Sequence, residues 1–144
     1  MMPLFSQPTY RLLDHTADLR LRVVGADLAD LFKNAGLALF DLIVEGPAAG
    51  CADETELHVT GQDAADLLVN FLRELLYRWT GEEKVVTVIQ VTHICDTSIS
   101  ARIATADYVA QRQEIVHEIK AVTYHQIDVS RTKAGWQATV VLDI

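Results

Sequence analysis

Apolar positions change their spacing several times along the chain, and each change marks an element. Leu19-Arg20-Leu21-Arg22-Val23 alternates apolar and charged side chains. That is the period of a strand with one buried face, so 19–24 predicts a strand that Gly25 ends. Tyr10–Leu13 predicts a shorter strand before it. From Leu28 the period lengthens. Leu31, Phe32, Ala35, Leu39 and Leu42 recur on one helical face, and the spacing predicts a helix over 28–42. Asp27 suits its N-cap and Asp30 its first turn. Gly46-Pro47 breaks the helix, and 48–53 reads as loop. Thr55–Thr60 alternates weakly and reads as a strand. Asp63 then caps a second helix, with Asp66 in the matching position and Leu67, Leu68, Phe71, Leu72, Leu75, Leu76 and Trp79 as its apolar stripe. Thr80-Gly81 closes it.

The remaining chain has strand character. Val85–Val91 is rich in β-branched residues, Thr97–Ala104 alternates, and Ile119–Tyr124 is extended. Ile127–Arg131 and Trp136–Asp143 flank a turn at Lys133-Ala134-Gly135 and predict a terminal hairpin. Asp107–Glu114 is polar and fits a loop or one helical turn. No internal repeat or low-complexity tract is evident. The order β-β-α-β-α followed by strands predicts an α+β fold: one domain over 1–144, with two helices packed on one face of a mixed or antiparallel sheet. Residues 1–8 read as a loose N-terminal end.

Composition narrows the function classes. The chain has 144 residues, enough for a core without disulfides or structural metal. Its formal charge is −8, which disfavours direct high-affinity nucleic-acid binding by the surface as a whole. An acidic domain can still dock on a basic protein. Cys51 and Cys95 form no Cys-x-x-Cys pair, and no apolar run approaches a membrane span. These features predict a cytoplasmic protein without membrane association.

Candidate chemistry gathers in three places. Asp14-His15-Thr16-Ala17-Asp18 packs two carboxylates, an imidazole and a hydroxyl beside an apolar strand. It is not an EF-hand loop, because Leu19 and Gly25 stand where that loop needs glycine and glutamate. If extended, the stretch holds its ends about 13 Å apart, too far to share one ion. One Asp joined by the Asp143 side chain and the Ile144 carboxylate would make an all-oxygen set suited to Ca²⁺ or Mg²⁺ rather than Zn²⁺. Equally, Asp14 and Asp18 could cap turns while Asp143 is a solvated tail. Glu118 and Lys120 share one side of an extended segment, either as a surface ion pair or as charges presented to a partner. His93-Ile94-Cys95 lacks a second ligand pair at zinc spacing. No P-loop, Gly-x-Gly-x-x-Gly or Gly-x-Ser-x-Gly occurs.

Taken together, Asp14–Asp18, Glu118-Ile119-Lys120-Ala121-Val122-Thr123-Tyr124-His125 and the closing Val141-Leu142-Asp143-Ile144 resemble the archease family. The family pattern is His-Thr-Ala-Asp near the N-terminus, Lys-Ala-x-Thr-Tyr-His, and a chain that stops at Asp-Ile. The resemblance spans nearly the whole chain. It implies a non-catalytic protein cofactor of an RtcB-type RNA ligase in tRNA splicing and RNA repair. Such a cofactor promotes guanylylation of the ligase, supports multiple turnover and broadens nucleotide use. It further implies metal binding, typically of calcium, by Asp18, Asp143 and Ile144, and activity roles for Glu118 and Lys120. His15 and His125 match motif positions, and Asp14 precedes the motif. Two other classes remain open: a general chaperone or scaffold module, and a metal-dependent hydrolase using Asp18, Asp143 and a histidine.

Overall fold

The alternating stretch near the start of the chain lies against the strand at its end. The computed structural model describes residues 9–13, 18–48 and 53–144. Strand β2 (Asp18–Gly25) pairs antiparallel with β9 (Gly135–Asp143), in register from Asp18 opposite Asp143 to Gly25 opposite Trp136. β1 (Tyr10–Leu12) adds to the free side of β2, and β8 (Ala121–Thr132) to the free side of β9. The resulting order is β1-β2-β9-β8. Period two then decides the faces: Leu19, Leu21, Val23, Ala138, Val140, Leu142 and Val122 are buried on one side. Asp18, Arg20 and Arg22 occupy the other.

A second antiparallel sheet has the order β4 (Asp53–Thr60), β6 (Ser98–Asp107), β5 (Lys84–Ile94). A two-residue ribbon joins β3 (Val44–Glu45) to β7 (Glu114–Ile115). Helix α1 (Leu28–Ile43) packs on both β2 and β5, and α2 (Ala64–Thr80) on both β8 and β5. The helices therefore link the two larger sheets, and the Phe32 and Phe71 rings, 5.7 Å apart, join helix to helix.

The α+β class, the two helices and the terminal hairpin agree with the sequence pattern. The pattern did not convey that the strands divide among three sheets, because alternation reports burial of a face and not the partner. Of two expected extended segments, Ile119–Tyr124 from Ala121 onward and the whole of Ile127–Arg131 belong to the single strand β8. It is interrupted by a bulge between Thr123 and Asp128, with Gln126 at φ 53°. The polar stretch 107–114 gives its first residue to β6 and its last to β7, with a loop and a turn at 110–112 between them. The loose end at 1–8, Asp14–Ala17 and Cys51 lie outside the described residues.

A short internal repeat, missed in the sequence, builds both strand-to-helix junctions. Gly25-Ala26-Asp27-Leu28-Ala29-Asp30-Leu31-Phe32-Lys33-Asn34 matches Gly61-Gln62-Asp63-Ala64-Ala65-Asp66-Leu67-Leu68-Val69-Asn70 at every residue with a junction role. Asp27 and Asp63 each accept the amide N–H three residues on, both at 2.8 Å. Asp30 and Asp66 reach back to the N–H of Ala26 and Gln62, at 2.9 and 2.8 Å. The arrangement is a variant of the capping box, in which the second aspartate takes the N–H of the residue before the cap rather than that of the cap itself. Asn34 and Asn70 each donate to the preceding strand, at Val24 and Thr60. Both glycines lie against the helix backbone: a Cβ on Gly61 would stand 2.6 Å from the Leu67 nitrogen.

Asp63→Ala is expected to cost about 1 kcal/mol. It should lower the thermal midpoint by roughly 3–5 °C, measured by circular dichroism. Gly61→Ala should cost more, because its Cβ meets capped backbone that cannot move aside. A smaller loss for Gly61→Ala would overturn this account of the junction.

Candidate functional site

One end of the four-stranded sheet brings three distant segments into a single row. Asp18 of β2 stands opposite Asp143 of β9, which stands opposite Ala121 of β8. Directly opposed residues share a face, with Cβ atoms about 5 Å apart. The next row inward, Leu19, Leu142 and Val122, is buried on the other face and anchors this end to the core. Lys120, just before β8, donates its backbone N–H to the Asp143 carbonyl at 2.7 Å. Ile144 follows, partly exposed.

Two carboxylates directly opposed across a strand pair repel each other. Neither Asp18 nor Asp143 joins any of the ion pairs found among the described residues. A cation between them would relieve that repulsion, and the donors are hard oxygens. Among the described residues no group of three or more His, Cys, Asp and Glu side chains is placed to hold a metal. The two aspartates by themselves fall short of a metal site, which would need a further oxygen from a main-chain group or from another residue.

Glu118 and Lys120 are both exposed, and they form no ion pair with each other. Simple alternation through 118–124 also fails. Ile119 and Val122 are both buried although three residues apart, so strict alternation is broken between them, and regular pairing begins only at Ala121. His125 lies in the β8 bulge, with its N–H directed to the Thr123 hydroxyl at 3.3 Å. It is not in the Asp18–Asp143 row. Asp14 and His15 fall outside the described residues.

Sequence reasoning missed the side chains that hold this segment in place. The Arg73 Nε–H of α2 donates to the Val122 carbonyl at 3.0 Å, and its guanidinium lies 4.7 Å from the Tyr124 ring centre. The Tyr124 hydroxyl donates to Asp66 at 2.8 Å and to Asn70 at 3.3 Å. Asp66, Asn70 and Arg73 fall at helical spacing on one flank of the apolar stripe, a signal present in the sequence. The Gln62 N–H, then the Tyr124 hydroxyl, hold the Asp66 carboxyl below its ordinary pKa. The Asp66 carboxylate raises the Tyr124 phenol in return.

With this geometry in view, comparison with known proteins is decisive. The description of the archease protein family (MTH1598/TM1083) matches residues 10–144. The chain belongs to the archease family. It is 37% identical over 139 residues to protein archease of Methanosarcina mazei, covering 94% of this chain and 95% of that one. The Archaeoglobus fulgidus archease is 35% identical over 138 residues, covering 94% and 98%. The solution structure of Methanobacterium thermoautotrophicum protein 1598 superimposes with a TM-score of 0.70 at 25% identity, covering 96% and 100%. A Thermotoga maritima crystal structure described as an archease, possible chaperone, shares the fold, with a TM-score of 0.65 at 17% identity over 93% and 96%.

In this archease-family chain, the three motif segments thus converge through Asp18, Lys120-Ala121 and Asp143. Its cysteine chemistry lies elsewhere. Cys95 is exposed in the β5–β6 turn, where hydrogen bonds from Ser98, then Thr97, lower its thiol pKa to about 6. No helix among the described residues is long and apolar enough to cross a membrane.

Two titrations check these environments. A depressed Asp66 pKa gives stability that is present above its unfolded value and lost as pH falls through the folded value. Tyr124→Phe should move the Asp66 carboxyl upward by NMR titration, yet leave it below the ordinary value, because the Gln62 N–H is the larger cause. No movement would remove Tyr124 from the network. Iodoacetamide alkylation of Cys95, followed by peptide mass, should have its midpoint near pH 6. Ser98→Ala should shift that midpoint upward.

Proposed function

We propose that this chain is a non-catalytic protein cofactor of an RtcB-type RNA ligase. It acts in the cytoplasm, in tRNA splicing and RNA repair, promoting guanylylation of the ligase, multiple turnover and broadened nucleotide use. Membership of the archease family supports the class, and the register pairing of Asp18 with Asp143 carries the site. On this reading Asp18, Asp143 and Ile144 hold a divalent ion, Ca²⁺ first and Mg²⁺ second. The ion, when bound, supplies positive charge for phosphate neutralisation. Lys120 extends from the same end and adds a second positive group, with Glu118 beside it to set the local charge pattern. His15 and His125 shape the surroundings, and Asp14 leads into the motif. An acidic tip of this kind is steered to a basic ligase mouth by charge complementarity.

A chaperone or scaffold reading draws on the exposed apolar residues Ile115 and Val116, and on the description of the Thermotoga relative. It predicts suppressed aggregation of unrelated clients and no preference for a ligase. A metal-dependent hydrolase would instead turn over a substrate alone.

The test is guanylylation of a purified RtcB-type ligase from the same source, with substoichiometric amounts of this protein. Stimulation is expected, together with a loss of about tenfold or more in calcium affinity for Asp18→Ala or Asp143→Ala by calorimetry. Stimulation by Asp18→Ala equal to that of the unaltered chain would sink the metal part. Absence of stimulation of a competent ligase would sink the whole reading.

A further inference from the structure

The two strand-to-helix junctions share a sequence pattern but not a neighbour. At the second, the Asp66 and Asn70 side-chain oxygens take up the Tyr124 hydroxyl. At the first, the corresponding Asp30 and Asn34 line a cleft of about 620 Å³ between β1, β2, the start of α1 and the β8–β9 turn. Asn34 is 8% exposed. Its amide N–H donates to the Val24 carbonyl at 2.9 Å, and its Oδ1 has no partner among the described residues. One Asp30 oxygen accepts the Ala26 N–H, and Lys33 stands 3.9 Å from the other. The cleft therefore presents the acceptor pair that holds a hydroxyl donor at the sister junction.

Positive charge lines the same cleft. Arg11 and Arg22 are direct cross-strand neighbours, which places two guanidiniums side by side on one face. Like charges so placed repel. Neither joins an ion pair among the described residues, although the chain carries 20 acidic against 12 basic residues. The Arg22 Nε is buried without a hydrogen-bond partner. Trp136 also lines the cleft, with the Arg131 guanidinium 5.6 Å from its ring centre. The volume falls in the range of small-molecule sites, roughly 300–1,000 Å³.

We propose that this cleft binds a phosphorylated ribose. Its phosphate is held jointly by Arg11 and Arg22, whose planar donors match phosphate oxygens. Its ribose hydroxyls donate to Asp30 and Asn34, as the Tyr124 hydroxyl does to Asp66 and Asn70. The ligand is a ribonucleotide, either free or at the end of an RNA strand. An edge strand carrying arginine only to resist strand-on-strand association would show none of this selectivity. The site is independent of the Asp18–Asp143 end and requires no ligase.

Calorimetry on the full chain at fixed ionic strength tests it, with adenosine 5′-monophosphate, ribose 5-phosphate, 2-deoxyribose 5-phosphate and ribose as probes. Binding of the first two is expected, with weaker binding of the deoxy sugar and none of ribose. The Arg11→Gln/Arg22→Gln double variant should lose at least about tenfold in affinity. Its thermal midpoint should be unchanged or higher, since a repulsive pair is removed. A 5′-phosphorylated pentaribonucleotide that binds more tightly than the mononucleotide makes the ligand an RNA end; the reverse order makes it a free nucleotide, and either result supports the site. No binding of any phosphorylated probe, equal binding of ribose, or undiminished binding by a folded double variant would overturn the proposal.

Discussion

The pairing of β2 with β9 is the constraint on which the rest of the molecule depends. It joins residues 18–25 to residues 136–143, nearly the full length of the chain, and forms the middle of the four-stranded sheet. Its inner face buries Leu19, Leu21, Val23, Ala138, Val140 and Leu142 against the helices. Period two makes this register hard to slip, because a shift of either strand by one residue would turn that strand's buried side chains outward and bring its own Asp18 or Asp143 to the core face. The same register that fills the core therefore opposes two carboxylates at the sheet's end. Core packing supplies the free energy that holds these like charges side by side.

The helices contribute precision of a different kind. Each begins with an aspartate cap, a second aspartate that reaches back, and an asparagine tied to the preceding strand. These ties fix the angle at which a strand feeds its helix. In α2 the same side chains also hold β8 through Tyr124, while Arg73 grips the Val122 carbonyl. The bulge that frees Tyr124 from the sheet has a cost, since Gln126 adopts a left-handed backbone, typically worth 1–3 kcal/mol of strain. The Asp66–Tyr124 and Arg73 contacts offset it. The segment carrying Lys120 is thereby fastened from α2 on one side and from β9 on the other.

Much of this was legible in the sequence. Both helices, their aspartate caps, the β2 alternation and the terminal hairpin follow from period and turn chemistry, which are local properties. The resemblance in three separated segments pointed to the archease family, and the match over residues 10–144 bears it out. Other features were legible but overlooked. The ten-residue pattern at Gly25 and Gly61 recurs without gaps, and Asp66, Asn70 and Arg73 lie on one helical flank. The extended segment carrying Glu118 and Lys120 was read too simply. Alternation assumes one continuous strand, whereas β8 begins only at Ala121, and Ile119 and Val122 are both buried.

By itself, then, the sequence determined which stretches become helix or strand, which face of each is apolar, and which family the chain joins. These follow from side-chain chemistry repeated at short range. Only the tertiary structure decided that Asp18 faces Asp143 with Ala121 beside them. It also decided that His125 sits in a bulge away from that row, and that Arg11 and Arg22 meet beside Asn34. Those placements depend on strand partners as far apart in the chain as Asp18 and Asp143. A local pattern constrains what a strand buries, but many registers bury the same face, and the choice among them is made by packing the whole core at once.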